Sequence, residues 1–177
     1  MQKCNPQRLV FVDECGSHLA LTPLYARAAR GQRAPGRVPK NRGQNTTVLG
    51  ALNWNGVAAA MTLEGAADSA AFVVFIEHFL LSQLQAGQIV VMDNLSIHKN
   101  QQVRRLIESA GCQLVFLPTY SPDLNPIELA WSKLKAHLRW VGARAREALE
   151  TAIGSGLERI TPHDAQHWFA HCGYQSL

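Results

Sequence analysis

The sequence predicts an α/β fold in which a mixed sheet, made of hairpin strands and parallel strands, is flanked by helices. Two apolar runs rich in β-branched residues, at residues 8–14 and 88–94, each lead to an acidic residue near their end, and such near-continuous apolar strands are typical of sheets buried on both faces. A hairpin pattern and a helical pattern separate the two runs. The chain has 177 residues, of which 47% are hydrophobic, which is enough for one compact domain with a substantial core.

The first half of the chain reads as strand, hairpin and helix. The first apolar run predicts a strand that delivers Asp13 from its end. Residues 46–52 and 57–63 predict two strands joined by a turn at Asn55-Gly56, a favoured hairpin pair. Asp68-Ser69 then predicts the start of a helix whose buried face carries Phe72, Ile76, Phe79 and Leu80.

The second half continues as strand, helix, strand and further helices. Residues 88–94 predict a strand that ends at Asp93, and residues 112–116 predict another strand after an intervening helical pattern. Residues 143–153 and 162–171 predict two short helices that cover the core.

A longer helix opens within a proline-rich segment that follows the last strand. Asn125 is the expected N-cap and Pro126 the expected first helical residue. An apolar stripe at helical spacing should face the core and leaves Glu128 on its flank. The stripe consists of Ile127, Trp131, Leu134 and Leu138.

Three acidic residues from separate elements, Asp13, Asp93 and Glu128, are the candidate catalytic residues. Phosphodiester chemistry with a pair of Mg²⁺ ions about 3.5–4 Å apart requires hard oxygen ligands, which carboxylates supply. Because ligands gather outside the carboxyl ends of parallel strands, the two aspartates should be neighbours. Simpler roles are open for each: strand-end turn residues for the aspartates and an Asn-x-x-Glu capping box for Glu128. Glu14 and Asp123 are second choices, because Glu14 should point to the opposite face and Asp123 precedes the helix cap.

Positive charge is concentrated in one segment. No Asp or Glu occurs between Glu14 and Glu64, and that interval holds the cations Arg27, Arg30, Arg33, Arg37, Lys40 and Arg42. Such a segment is a candidate for contact with DNA phosphates, although a solvated connection explains the composition equally well. Lys135 and Arg139, on the Glu128 side of its helix, are further candidates for DNA contact.

The remaining composition argues against several classes of protein. The four cysteines are scattered without a Cys-x-x-Cys pair, which favours neither a zinc site nor a disulfide framework. No apolar stretch reaches membrane-spanning length, and the N-terminus lacks the hydrophobic region of a secretory signal. We therefore expect a cytoplasmic protein with access to DNA and no membrane partner.

Three blocks of sequence resemble the catalytic domain of mariner-like insertion-sequence transposases, within the DDE superfamily that shares the ribonuclease H-like fold with retroviral integrases. The order strand, hairpin, helix, strand is that of the ribonuclease H-like sheet. The resemblance covers nearly the whole chain, so we expect residues 1–177 to form one catalytic domain in which residues 143–177 are a C-terminal helical cover. The blocks are Phe11-Val12-Asp13-Glu14, then Met92-Asp93-Asn94 with His98, and finally Leu117-Pro118, Tyr120-Ser121-Pro122, Leu124-Asn125-Pro126-Ile127-Glu128 and Trp131.

The resemblance implies a metal-dependent enzyme that cuts transposon ends and joins the freed 3′ hydroxyl to target DNA. Its triad would hold two Mg²⁺ ions, for which Mn²⁺ could substitute, with Asp13 bridging the ions, Asp93 on one and Glu128 on the other. Polar neighbours expected to orient a phosphate, a water or a ligand around the metals are Asn94, His98 and Asn125. A cap on the next helix is the alternative role of His98. The resemblance also implies a bacterial-type protein that forms a homodimer. This dimer would act on terminal inverted repeats and on TA target sites.

Three other functions remain open. A phosphoacceptor signalling domain also gathers strand-end acids such as Asp13 and Glu14 around one Mg²⁺, although the basic segment and the block ending at Glu128 argue against it. A ribonuclease H-like nuclease or resolvase would have the same fold without transposing. A non-catalytic DNA-binding remnant is the third, because the chain offers no room for the N-terminal helix-turn-helix of mariner-like enzymes. A separately encoded N-terminal recognition segment would explain the same departure.

Overall fold

The computed structural model describes residues 5–94 and 100–175, which form a five-stranded mixed sheet in the order β3-β2-β1-β4-β5. The central strand, β1, pairs antiparallel with β2 and parallel with β4, while β3 and β5 form the two edges. The predicted mixed sheet is therefore confirmed. Its strands are β1 (Leu9–Ser17), β2 (Thr46–Asn53), β3 (Gly56–Glu64), β4 (Ile89–Met92) and β5 (Gln113–Phe116).

Helices cover both faces of this sheet and create two hydrophobic cores. Alternate residues of β1 enter opposite cores, because successive side chains of a strand point to opposite faces. Phe11 packs with residues of α3, α4 and α5, whereas Val10 and Val12 pack with residues of α1 and α2. The helices are α1 (Ser69–Phe75), α2 (Gln101–Ser109), α3 (Ile127–Val141), α4 (Arg146–Glu158) and α5 (Pro162–His171).

Strand β1 is longer than the sequence pattern indicates. Its parallel pairing with β4 stops at Val12, opposite Met92, but its antiparallel pairing with β2 continues to Ser17. Asp13 therefore lies in the middle of a strand, and the prediction that it stands at a strand end is wrong. Only the pairing with β4 ends before Asp13. From this residue onward, the edge of β1 that pairs with β4 has no strand beside it.

The β2–β3 hairpin forms as predicted, but its turn lies one residue earlier than Asn55-Gly56. Asn53 pairs with Gly56, so Trp54 and Asn55 are the two central residues. Gly56 begins β3 with a φ of 117°, a backbone conformation that residues other than glycine rarely adopt.

Helix α1 starts where Asp68 predicts, because the Asp68 carboxylate accepts a hydrogen bond from the Ala71 amide at 2.8 Å. The helix then changes to π geometry over Ile76–Leu80. Phe72, Ile76 and Leu80 are buried, but Phe79 is partly exposed, so its predicted place on the buried face is wrong. The wider π turn changes the angular spacing of side chains, which the regular helical pattern does not anticipate.

The C-terminal helices also follow the predicted order. Helix α5 has the predicted bounds, whereas α4 begins and ends later than residues 143–153. Both contribute buried side chains to the core beneath α3, among them Ile153 and Phe169. Across the described ranges, the structure has no helix that is long and apolar enough to cross a membrane.

Candidate active site

The sheet brings Asp13 and Asp93 to adjacent positions. Val12 is the register partner of Met92 in the parallel β1–β4 pair, so the two aspartates directly follow a paired position on neighbouring strands. Phe11 and Val91 both enter the core beneath α3, and alternation places Asp13 and Asp93 on that same side. The expectation that these two residues are neighbours is confirmed.

Helix α3 lies over this part of the sheet because Gly50 lets it approach closely. Gly50 is the register partner of Asp13 on β2, and a Cβ atom there would lie 2.5 Å from the Trp131 ring. The indole therefore occupies the space above the backbone beside Asp13. Glu128 is one turn before Trp131 in the same helix, so this contact places the first turn of α3 over the aspartates.

Asn125 links the start of α3 to Asp13. Its side-chain amide donates a hydrogen bond to the Asp13 carboxylate at 3.2 Å, and both side chains are buried. The predicted N-cap role of Asn125 is wrong, because Pro126 holds the cap position and no side chain caps the helix. The Glu128 amide donates instead to the Asn125 backbone carbonyl at 3.1 Å. The amide of Asn125 thus orients a carboxylate that is distant in sequence.

Asp13 has the most perturbed electrostatics in this region. Only 6% of its surface is exposed. Its pKa is raised to about 7, mainly by burial and also by the negative charges of Glu128, Glu14 and Asp93. The hydrogen bond from the Glu14 amide acts in the opposite direction and lowers the pKa. Asp13 therefore interacts with both Asp93 and Glu128, and no positively charged group among the described residues lowers its pKa. A cation at this position would relieve that deficit.

A cleft of about 250 Å³ opens beside Asp13, between the end of β4 and the start of α3. Asp93, Asn94, Asn125 and Glu128 line it, together with residues 117–122 of the connection after β5. The Asn94 amide donates to the Thr119 hydroxyl at 3.1 Å, which ties the end of β4 to that connection. Asp93 and Glu128 thus line an open space next to Asp13.

The carboxylates converge but do not form a closed metal cage as they stand. Within residues 5–94 and 100–175, no group of three or more His, Cys, Asp or Glu side chains is arranged to hold a metal ion. Glu128 is exposed in the first turn of α3, so its side chain is free of core packing and can change rotamer.

One of the predicted DNA-contacting cations, Lys135, lies near two of the candidate carboxylates, and two others lie near His18. Lys135 lies beside Cys15, where it partly opposes the rise in thiol pKa that burial causes. Arg42 and Arg139 both lie near His18, whose pKa is lowered first by burial and then by these two charges. A basic surface therefore continues from the carboxylates along the flank of α3.

The connection between β1 and β2, residues 18–45, carries the remaining predicted cations. Its base is closed by a hydrogen bond from the Leu19 amide to the Arg42 carbonyl at 3.1 Å, and Arg144 donates to the Leu19 and Leu21 carbonyls. Between these points its cations are exposed or partly exposed: Arg27, Arg30, Arg33, Arg37 and Lys40. The structure therefore leaves them exposed to solvent, where a ligand can reach them.

Two further residues of the site have no individual signal in the sequence. Gly50 matters only because Trp131 packs on it, and Thr119 only because Asn94 donates to it. Neither contact follows from local pattern. His98, predicted to assist the metal site, lies outside the described residues.

Comparison with solved structures shows which fold this arrangement belongs to. The Mos1 transposase paired-end complex with left transposon end has a chain 19% identical to this one, with a TM-score of 0.73, and the match covers 94% of this chain and 52% of that chain. The Mos1 mariner paired end complex with Mn matches with 19% identity, a TM-score of 0.74 and the same coverage. The catalytic domain of Mos1 mariner transposase matches with 15% identity and a TM-score of 0.69, over 94% of this chain and 77% of that chain.

These likenesses confirm the expected ribonuclease H-like sheet and concern the fold alone. The chain spans about half the length of the transposase chains in the two paired-end complexes. It matches no curated protein sequence. Residues 8–150, which include all three candidate carboxylates, match the family described as DDE superfamily endonuclease. The chain belongs to the DDE superfamily endonuclease family.

Proposed function

We propose that this chain is the catalytic domain of a transposase that cleaves DNA at transposon ends and joins the freed 3′ hydroxyl to target DNA. The observation that carries the proposal is the convergence of Asp13, Asp93 and Glu128 at one cleft in a chain of the DDE family. Among the similar folds are a Mos1 paired-end complex and a Mos1 strand transfer complex. Their shared fold makes the same reaction class the best candidate here.

The three carboxylates would hold divalent cations, two Mg²⁺ ions in our proposal, with Mn²⁺ as a substitute. Hard oxygen donors suit these ions, and the raised pKa of Asp13 marks a buried negative charge that a cation would stabilise. Similar folds include Mos1 complexes with Mg and with Mn. Bound there, the cations would lower the pKa of the attacking water or hydroxyl and stabilise the leaving oxygen.

The position of each residue in the site indicates its proposed role. Asp13, the most buried, would bridge the two ions, with Asp93 on one and Glu128 on the other. Asn125 would keep the Asp13 carboxylate in one orientation through its hydrogen bond. Asn94, held by Thr119 at the rim of the cleft, would contact the phosphate or a water.

DNA would lie along the basic surface beside the carboxylates. Lys135, which lies near Cys15, and Arg139 and Arg42, which lie near His18, would contact phosphates that flank the cleaved bond. The exposed cations of residues 18–45 would contact DNA farther from the cleft, and these contacts should weaken as salt concentration rises.

The proposed transposition reaction would also involve partners of this domain. We propose a homodimer that brings two transposon ends together, and a separately encoded N-terminal segment that recognises the terminal inverted repeats. Such an enzyme would act in a bacterial-type cytoplasm, in association with DNA.

The proposal is tested by metal-dependent cleavage of a short DNA duplex, with Mg²⁺ or Mn²⁺ supplied to the chain. Asp93→Asn and Glu128→Gln keep side-chain shape but remove a ligand charge, so each should lower the cleavage rate at least about a hundredfold. Asp123→Asn is the matched control, because Asp123 is an exposed acid near the same cleft without a proposed role.

Mn²⁺ binding by titration calorimetry gives a second readout that does not depend on cleavage. The wild-type chain and Asp123→Asn should bind the ion, and Asp93→Asn should bind it much more weakly. Equal Mn²⁺ binding and equal cleavage by wild type and Asp93→Asn would refute the proposed triad.

A further inference from the structure

Tyr120 combines two unfavourable features at the mouth of the cleft. Within the described ranges, it is the one residue other than glycine with a positive φ, at 57°. Its surface is also 98% exposed. A bulky side chain rarely adopts left-handed backbone geometry, and such strain persists mainly where the surroundings impose it, often at functional sites.

The segments on both sides of Tyr120 are anchored, so its conformation is imposed by its neighbours. The Leu117 amide donates to the Met92 carbonyl at 2.8 Å, and the Thr119 hydroxyl accepts from Asn94 at 3.1 Å. After Tyr120, a 3₁₀ turn closes when the Leu124 amide donates to the Ser121 carbonyl at 3.1 Å. The fold therefore holds an aromatic ring in solvent, beside the carboxylates.

We propose that the Tyr120 ring is a stacking subsite for an unpaired nucleobase of the nucleotide next to the cleaved phosphate. This inference rests on the proposed function. The cleft that Tyr120 lines is also lined by Asp93 and Glu128, so a phosphate held by the triad places its own nucleotide within reach of the ring.

The base in question must be unpaired, because a base inside a duplex has both faces covered by its neighbours. A base that is left unpaired at a strand end, or turned out of the helix, can offer its full face to an exposed aromatic side chain. Stacking requires no sequence-specific hydrogen bond, so the subsite should accept any base. It would fix the position of the nucleotide and hence of the phosphate beside it.

The hydroxyl group of Tyr120 offers a different role, a hydrogen bond to a phosphate oxygen, which can be separated from stacking by substitution. Tyr120→Phe keeps the ring and removes the hydroxyl. Tyr120→Asn removes the ring but suits left-handed backbone geometry, so it should fold normally. Trp140→Ala removes another exposed aromatic side chain, at the far end of α3, and serves as the control.

The experiment compares binding of two duplexes by the full chain, with Ca²⁺ in place of Mg²⁺ so that the strands are not cut. One duplex has fully paired blunt ends, and the other ends in an unpaired 2-aminopurine whose fluorescence falls on stacking. The wild-type chain, Tyr120→Phe and Trp140→Ala should prefer the unpaired end and quench its fluorescence. Tyr120→Asn should bind that duplex roughly tenfold more weakly, without quenching, and bind the blunt duplex as wild type does.

The outcomes separate this subsite from the proposed function. If Tyr120→Asn retains the preference and the quenching, the stacking subsite is refuted, whatever the cleavage assay shows. If Tyr120→Phe loses as much as Tyr120→Asn, the hydroxyl carries the interaction and the stacking role is refuted. Cleavage that persists in Asp93→Asn would overturn the proposed triad while leaving the stacking result intact. A wild-type chain that binds neither duplex would overturn both.

Discussion

Replacing Asp13 with asparagine should stabilise the metal-free protein at alkaline pH. The pKa of Asp13 is about 7 in the folded chain, compared with 3.8 for an exposed aspartate. Between these values the folded chain holds a proton that the unfolded chain has released, so the free energy of unfolding falls as the pH rises and levels off above about 7. Asparagine does not titrate and avoids this loss.

The size of the effect follows from the same two pKa values. Each pH unit between them corresponds to about 1.36 kcal/mol, so full ionisation of Asp13 costs the folded state up to about 4 kcal/mol. About 3 kcal/mol of this should be lost between pH 5 and pH 8. The asparagine amide can still accept from the Glu14 amide, and the Asn125 side chain can turn to offer its oxygen in place of its nitrogen.

Urea unfolding in the presence of a chelator measures this difference directly. The free energy of unfolding of Asp13→Asn relative to wild type should be much greater at pH 8 than at pH 5. The contributions of the other titrating groups cancel in this difference, because both proteins share them. Mg²⁺ at pH 8 should then stabilise wild type but not the variant. Wild-type stability that is equal at pH 5 and pH 8, together with an equally stable variant, would refute the reasoning from burial.

Three further substitutions test other contacts. Gly50→Ala should lower the free energy of unfolding by about 1–3 kcal/mol in urea, because the new methyl group would lie 2.5 Å from the Trp131 ring; unchanged stability would mean that α3 shifts freely. Asp164→Asn should cost about 1 kcal/mol at pH 7, since Asp164 completes the capping box of α5 with Thr161 and accepts from Lys133 at 2.6 Å. Because these contacts hold the Asp164 pKa at about 2, the deficit should shrink as the pH falls below 3.8, and a deficit independent of pH would point to packing. Tyr120→Gly should leave the melting temperature unchanged or raise it, because glycine relieves the left-handed strain, whereas a clear fall would show that the ring packs.

Local patterns are sufficient to predict most of the fold and the proximity of Asp13 and Asp93. The apolar runs before Asp13 and Asp93 indicate buried strands, and parallel pairing then makes the acids neighbours. Helical spacing likewise places Trp131 against the core and Glu128 on its flank. These predictions succeed because each depends on a few consecutive residues and on burial.

The remaining features of the site depend on contacts between distant segments. Asparagine is a preferred N-cap residue, but the Asn125 side chain donates to Asp13, which is 112 residues away in sequence. Phe79 leaves the buried face because a π turn interrupts the regular helix. The left-handed conformation of Tyr120 is imposed by anchors on both sides of it. No single-sequence pattern contains this information, because the competing tertiary contact decides each case.

The central position of β1 also bears on the order in which the protein folds. The β2–β3 hairpin and the helices are local and can form early, whereas β1 must pair with β4 and meet Asn125 across long stretches of chain. Contacts of large sequence separation form slowly, because loop closure must precede them. Burial of the Asp13 carboxylate, which is unfavourable on its own, therefore belongs to the last steps. We expect partly folded chains to lack an assembled cleft, so that the proposed cleavage of DNA would arise only with the complete fold.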